Sequence, residues 1–197
     1  MAIFHLLRHG QHDLLKHTLT GRTPGVTMNE TGRAETARAA AWLATRALVA
    51  LVASPLDRTR EAARIVAAAT NLQPTHDERL LEIDYGTFAG QRFDVLHQDP
   101  AWLNWTQNRA ITRTPTGETM LEVQARYVSC LIDLRDLYGA DEEIAVIGHG
   151  DPIGATLAYF LGAPIDVRRR IEIDNGSIST LRLALDSVTV QRVNFMP

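Results

Sequence analysis

Apolar runs and helix-period stretches alternate along this chain. The first run, Ile3-Phe4-His5-Leu6-Leu7, stops at Arg8-His9-Gly10; an apolar run bounded by a turn signal reads as a buried strand. A polar loop with Gly21, Pro24 and Gly25 follows. Asn29 then offers an N-cap for a helix from about Glu30 to Ala47. Ala34, Ala37, Ala41, Ala44 and Leu48 recur at steps of three and four, which predicts a small-residue face packed on a sheet. Leu48–Ala53 is a second buried strand, stopping at Ser54-Pro55, and a helix from Asp57 to Ala69 turns Thr59, Ala62, Ala63 and Val66 to one side. A short strand is expected within 72–81, ending at Leu80-Leu81 before Glu82.

The stretch from Ile83 to about Thr116 has no clear period but carries Tyr85, Phe88, Phe93, Trp102 and Trp105, and reads as short helices over one end of the sheet. The longest helix is expected over Glu118–Tyr138, with Leu121, Ala125, Val128 and Ile132 buried and Gly139 ending it. Ile144–Ile147 is another buried strand, followed by a helix from about Asp151 to Leu161. Two alternating runs, Ser177–Leu185 and Ser187–Phe195, predict a hairpin at the sheet edge. The order βαβα…αβα is that of an α/β protein: a mainly parallel sheet with helices on both faces and an antiparallel edge.

Length and composition narrow the class. At 197 residues, the chain is expected to form one domain, 1–197, with a lid segment at about 83–116. A net charge of −3 argues against a nucleic-acid or membrane-surface binder, so any anion site must be a local cluster of cations. The single cysteine, Cys130, excludes an internal disulfide, is expected in a helix core, and fits a reducing compartment. The first apolar run is too short for a signal peptide, and no stretch reaches the length of a membrane span; a cytoplasmic location is expected.

Three strands end in polar groups foreign to a core: Arg8-His9, Ser54 through Arg58, and His149. In an open α/β sheet, ligands bind beyond the carboxyl ends of the strands. If these strands are parallel neighbours, the groups gather at one edge. Arg8 can grip a phosphate through paired hydrogen bonds, and Arg58 would stand in a helix's first turn, where free N–H groups already favour an anion. Arg8, Arg58 and His149 can then surround the three non-bridging oxygens of a phosphoryl group. His9 offers a ring nitrogen as nucleophile, and Gly10 would let the backbone approach an oxyanion. Glu82 can protonate a leaving oxygen. A metal is the lesser reading: His9 and His12 are three apart in a strand-to-loop turn, and no His-Glu-x-x-His pattern occurs. No Gly-x-x-x-x-Gly-Lys-Ser/Thr loop supports a nucleotide triphosphatase either.

Leu7-Arg8-His9-Gly10, Ser54-Pro55-Leu56-Asp57-Arg58, Glu82 with Tyr85-Gly86, Gly117-Glu118-Thr119 and His149-Gly150, in that order, resemble the histidine phosphatase superfamily, the phosphoglycerate mutase-like group. Asn175-Gly176-Ser177-Ile178-Ser179 resembles the family's late strand entry. The resemblance implies a three-layer α/β/α fold, His9 as the phosphorylated nucleophile, Glu82 as general acid, and Arg8, Arg58 and His149 as phosphate ligands, without metal or other cofactor. It also puts Gln11, Thr20, Gly21 and Gly150 among the substrate contacts.

Departures from the mutase pattern bear on the branch. His12 stands where mutases place serine or threonine, no Asn precedes Asn29, and Ile83 occupies the place of an arginine that holds a substrate carboxylate. The middle segment also lacks an Arg-Arg pair. These departures favour a metal-independent phosphomonoesterase acting on a small phosphorylated metabolite. A phosphoglycerate mutase and a non-catalytic phospholigand-binding module are the alternatives. Retention of both His9 and Glu82 weighs against the module, because binding alone needs neither. A homodimer is compatible with the chain.

Overall fold

The computed structural model describes residues 1–139 and 141–197. Six strands, β1 (Ala2–Arg8), β2 (Leu48–Ala53), β3 (Pro74–His76), β4 (Glu143–Gly148), β5 (Ile178–Leu183) and β6 (Val188–Phe195), form one sheet in the order β3-β2-β4-β1-β5-β6. The first four run parallel; β5 is antiparallel to β1, and β6 closes the hairpin predicted at the edge. Among the described residues, six α-helices follow in chain order, α1 (Glu30–Leu43), α2 (Asp57–Thr70), α3 (Phe93–Leu96), α4 (Pro100–Gln107), α5 (Met120–Tyr138) and α6 (Gly150–Phe160); α1 and α2 cover one face of the sheet and α5 and α6 the other.

Side-chain alternation along β1 divides the core. Phe4 and Leu6 pack with Val52, Val146, Leu131 and Ile153 beneath α5 and α6, while Leu7 packs with Ala39, Leu43, Ala62 and Val66 beneath α1 and α2. A third cluster lies apart from the sheet. Phe88, Leu96, Trp102 and Trp105 meet Met120, Val123 and Ala155, so the segment 83–116 is held down by an aromatic core of its own. Cys130 is buried in α5, where a helix core was expected. Among the described residues, no helix is long and apolar enough to cross a membrane.

Several expectations are corrected. The buried face of α1 is Gly32, Thr36, Ala39, Ala40 and Leu43, whereas Ala34, Ala37, Ala41 and Ala44 face solvent. An alanine-rich helix has almost no amphipathic signal, and here the contact at its start sets its rotation. A Cβ on Gly32 would fall 2.0 Å from the carbonyl oxygen of Gln11, and one on Gly10 would fall 2.0 Å from that of Gly32. The bare Cα of Gly10 therefore serves helix packing, not the approach of an anion. The Asn29 cap forms as expected, its side chain accepting from Gly32 N–H at 2.9 Å. Helix α1 stops at Leu43 because residues 44–46 turn into β2, with Thr45 Oγ1 donating to the Trp42 carbonyl.

Helix α5 keeps Val128 and Ile132 against the core as expected, but Leu121 is 49 % exposed and Ala125 faces solvent, while Met120, Val123, Tyr127 and Leu131 point inward. Two polar residues are drawn inward instead. Gln124 donates to the Ala155 carbonyl at 2.7 Å, and Arg126 donates to the carbonyls of Arg79, Leu81 and Glu82. The helix begins at Met120, capped by a reciprocal Thr119–Glu122 box. Beyond β2, the strand within 72–81 is only Pro74–His76. Asp77 then caps a 3-10 turn, Glu78–Leu80, so Glu82 lies in a loop and not at a strand end.

Candidate active site

Register brings the three predicted strand ends together. Arg8 pairs with Gly148 across β1–β4, and Ala53 with Ile147 across β2–β4. His9, Ser54 and His149 therefore leave the sheet at one edge. Asp57 opens α2 directly beyond β2, which puts Arg58 in its first turn over that edge. A cavity of about 340 Å³ opens here, and its lining includes Arg8, His9, Arg58, Glu82, Thr20 and Gly21.

The hydrogen bonds fix the tautomers. His9 Nδ1 lies 2.8 Å from the carbonyl oxygen of Gly10, which can only accept, so Nδ1 carries the proton. His9 Nε2 is unprotonated, and its lone pair accepts from Arg58 Nε at 3.1 Å. Burial, then Arg58 and Arg8, hold the ring's pKa well below the ordinary histidine value, which keeps it neutral. His149 lies behind this pair, fully buried and outside the cavity lining. Its Nδ1 is 3.3 Å from Arg58 Nη2, and its Nε2–H donates to Ser54 Oγ at 2.8 Å. In this arrangement His149 orients Arg58.

Both arginines keep donors in reserve. Arg58 is 1 % exposed; its Nη2 donates to the Gly21 carbonyl at 2.7 Å, while Nη1 is buried without a partner. Arg8 Nη1 donates to the Ile173 carbonyl at 2.5 Å, and its Nε is buried without a partner. Leaving such groups unsatisfied is costly, and an oxyanion between the two guanidiniums would relieve both.

Glu82 faces this centre from the opposite wall. Its Oε1 accepts from Ile83 N–H at 2.9 Å. Burial first, then the charge of Asp151, raise its carboxyl above the ordinary glutamate value, although Arg58 and Arg8 oppose the shift. Its loop is held from behind. The Glu82 carbonyl accepts from Arg22 Nε at 2.8 Å and Arg126 Nη2 at 3.1 Å, and the Glu118 carboxylate binds Arg22, Arg126 and the Asp84 N–H. The Gly117-Glu118-Thr119 motif thus builds the seat of Glu82.

The remaining expected contacts divide. Thr20, Gly21 and Gly150 line the cavity. The side chain of Gln11 does not; its backbone N–H goes to Glu35 and its carbonyl accepts from Asn29. His12 lines the cavity next to His9, with ring centroids 5.8 Å apart and a buried, unpartnered Nδ1; burial, then Arg58 and Arg8, lower it to about 4. Among the described residues, no three His, Cys, Asp or Glu side chains converge as metal ligands would.

Sequence reading missed Asp151, Arg168, Lys16 and Phe93, which also line the cavity. Asp151 lies in the first turn of α6, two positions beyond His149, and that placement was its one visible signal. Arg168 opens an Arg168-Arg169-Arg170 run in which nothing distinguishes the first member.

The family model described as histidine phosphatase superfamily (branch 1) matches residues 4–196. The uncharacterized protein Rv0525 of Mycobacterium tuberculosis is 34 % identical over 171 residues, covering 84 % of this chain and 83 % of the relative. A protein of Enterobacter sp. (strain 638) named "Probable phosphoglycerate mutase GpmB" is 28 % identical over 187 residues, covering 92 % and 85 %. The native structure of mycobacterial glucosyl-3-phosphoglycerate phosphatase Rv2419c superposes with a TM-score of 0.86 at 25 % identity, covering 98 % of each chain.

Proposed function

The chain belongs to the histidine phosphatase superfamily, and we propose that it is a metal-independent phosphomonoesterase that hydrolyses a small phosphorylated metabolite through a phosphohistidine on His9. The observation that carries this reading is the neutral His9 ring, whose unprotonated Nε2 is held by Arg58 at a cavity that two arginines with unpartnered donors share with a raised carboxyl group.

The phosphoryl group enters between Arg8 and Arg58, and Arg58 Nε exchanges His9 Nε2 for a phosphoryl oxygen. The freed Nε2 lone pair attacks phosphorus, the ester P–O bond breaks, and Glu82 gives its proton to the departing oxygen. Ionised Glu82 then takes a proton from water. The water oxygen attacks phosphorus, the P–Nε2 bond breaks, and phosphate leaves with neutral His9 restored. The arginines stabilise the charge on the transferring group, the part a metal plays elsewhere.

The relative named as a mutase favours a second reading, in which the phosphoryl group returns to substrate. Both are tested by turnover of a panel of phosphate esters in excess EDTA. Release of inorganic phosphate at undiminished rates is expected. Loss of activity restored by one divalent ion would overturn the metal-independent reading, and isomerised ester without free phosphate would favour the mutase.

A further inference from the structure

The cavity is also lined by residues that the mechanism above leaves unused. Leu15, Leu19 and Phe93 give it apolar walls, and Lys16 and Arg168 bring cations to it. Resting on the phosphatase reading, we infer that Arg168 is a substrate-binding residue, and that the leaving group it receives carries a second anion, a carboxylate or a second phosphate.

Arg168 is built into place. It comes from a 3-10 turn, Ile165–Arg170, and lies across α6 at Gly154. A Cβ on Gly154 would fall 2.2 Å from Arg168 Cδ and 2.3 Å from its Nε, so any other residue there would push the guanidinium away. Two hydrogen bonds and an ion pair then hold it: Nε donates to the Asp151 carbonyl at 3.3 Å and Nη1 to the Ile171 carbonyl at 2.8 Å, while Nη2 lies 2.9 Å from Asp151 Oδ1. A guanidinium has five N–H donors. At least one remains on each Nη, on a side chain that lines the cavity and is 15 % exposed.

The charges do not cancel. Asp151 also binds Arg109 Nη1 at 3.2 Å and the Tyr85 hydroxyl at 2.8 Å. Two guanidiniums share one carboxylate, which leaves one positive charge over, and Lys16 adds another to the same cavity. Arg8 and Arg58 are committed to the phosphoryl dianion, and Glu82 enters the first step protonated. The mostly buried Arg168 guanidinium would pair with an anion more strongly than an exposed one. An ammonium group is disfavoured, because the Asp151 carboxylate already meets Arg109, Arg168 and the Tyr85 hydroxyl, and the surrounding cations repel it. The surplus charge thus suits an anion on the leaving group.

The test uses matched pairs of esters. 3-Phosphoglycerate differs from glycerol 3-phosphate by a carboxylate in place of a hydroxymethyl group, and fructose 1,6-bisphosphate differs from fructose 6-phosphate by a second phosphate. The native protein should prefer the anionic member of at least one pair by about 10- to 100-fold in kcat/KM, mostly through KM. Which pair shows the preference tells carboxylate from phosphate. Arg168→Met should bring that ratio within about threefold, Arg168→Lys should keep part of it, and Gly154→Ala should act like Arg168→Met. No preference in the native protein would overturn the inference, and so would equal losses for both members in Arg168→Met. If no ester releases phosphate, the phosphatase reading fails. Calorimetric binding of 3-phosphoglycerate against glycerol 3-phosphate and of fructose 1,6-bisphosphate against fructose 6-phosphate, in native protein and Arg168→Met, then decides the subsite: a preference in either pair lost in the variant supports it, and equal affinities in both pairs overturn it.

Discussion

The nucleophile half and the acid half of this site are built by different means. His9, Arg8 and His149 stand at the ends of parallel strands, and Arg58 in the first turn of a helix entered directly from one. Their positions follow from a backbone ladder, Arg8 beside Gly148 and Ala53 beside Ile147. Glu82 lies in a loop beyond a 3-10 turn, and charged side chains that are distant in sequence, Arg22, Glu118 and Arg126, hold its backbone. A ladder of main-chain bonds tolerates the loss of one side chain, whereas a network of few ion pairs does not. Damage behind the acid should therefore reach catalysis, and damage within the nucleophile half should act through the chemistry itself.

The largest effect is expected at the nucleophile. His9→Ala should abolish turnover and phosphoenzyme formation while the protein still unfolds cooperatively, because the strand ladder does not depend on the imidazole. Acid-quenched labelling with a phosphorylated substrate should mark His9 in the native protein; label on an intact serine, aspartate or cysteine would discard the mechanism.

Next comes the acid. Glu82→Gln should lower single-turnover phosphoenzyme formation by about 10²- to 10⁴-fold for alkyl esters. The loss should be much smaller for p-nitrophenyl phosphate, whose leaving group needs little protonation. Equal losses for both would remove Glu82 from the role and leave Asp84 as the next carboxylate to test. The pH dependence carries the same signature. Glu82 must start protonated, and its carboxyl is raised by burial and by Asp151, so kcat/KM should stay high well above the ordinary glutamate range and fall as pH rises through the raised value. His9 must start neutral and is lowered, so its acid limb should lie far below the ordinary histidine value. In Glu82→Gln the basic limb should vanish; its persistence would assign it to another group.

The smallest effect sharpens the contrast most. Glu118 lies outside the cavity lining, yet its carboxylate joins Arg22, Arg126 and the Asp84 N–H. Glu118→Gln should cost about 2 kcal/mol of stability, between the values for exposed and buried pairs. It should lower phosphoenzyme formation from alkyl esters by about 10-fold, and less from p-nitrophenyl phosphate. Denaturant unfolding and single-turnover rates check the two parts. Equal losses on both esters would mean that the network supports the whole site and not the acid alone.

The same contrast governs what could be read in advance. Apolar runs that end in Arg8-His9, in Ser54-Pro55 and in Gly148-His149 are local signals, because a short apolar run bounded by a turn signal suits a buried strand. The Asn29 cap and the edge hairpin were legible for the same reason. The rotation of α1 and the full buried face of α5 were not. The first depends on Gly10 meeting Gly32, and the second on Gln124 and Arg126 reaching carbonyls far along the chain. Glu82 was legible as a candidate, but its loop and its seat were not.

The sequence by itself marked the main strands and helices and the candidate nucleophile and cations beyond the strand ends, because periodicity and capping act within a few residues. Only the tertiary structure decided that His149 stands behind Arg58, that Gly10 serves α1, and that Arg168 crosses Gly154 to meet Asp151. Those contacts join segments far apart in sequence. Their energies arise from close approach and shared charge, and neither leaves a local pattern along the chain.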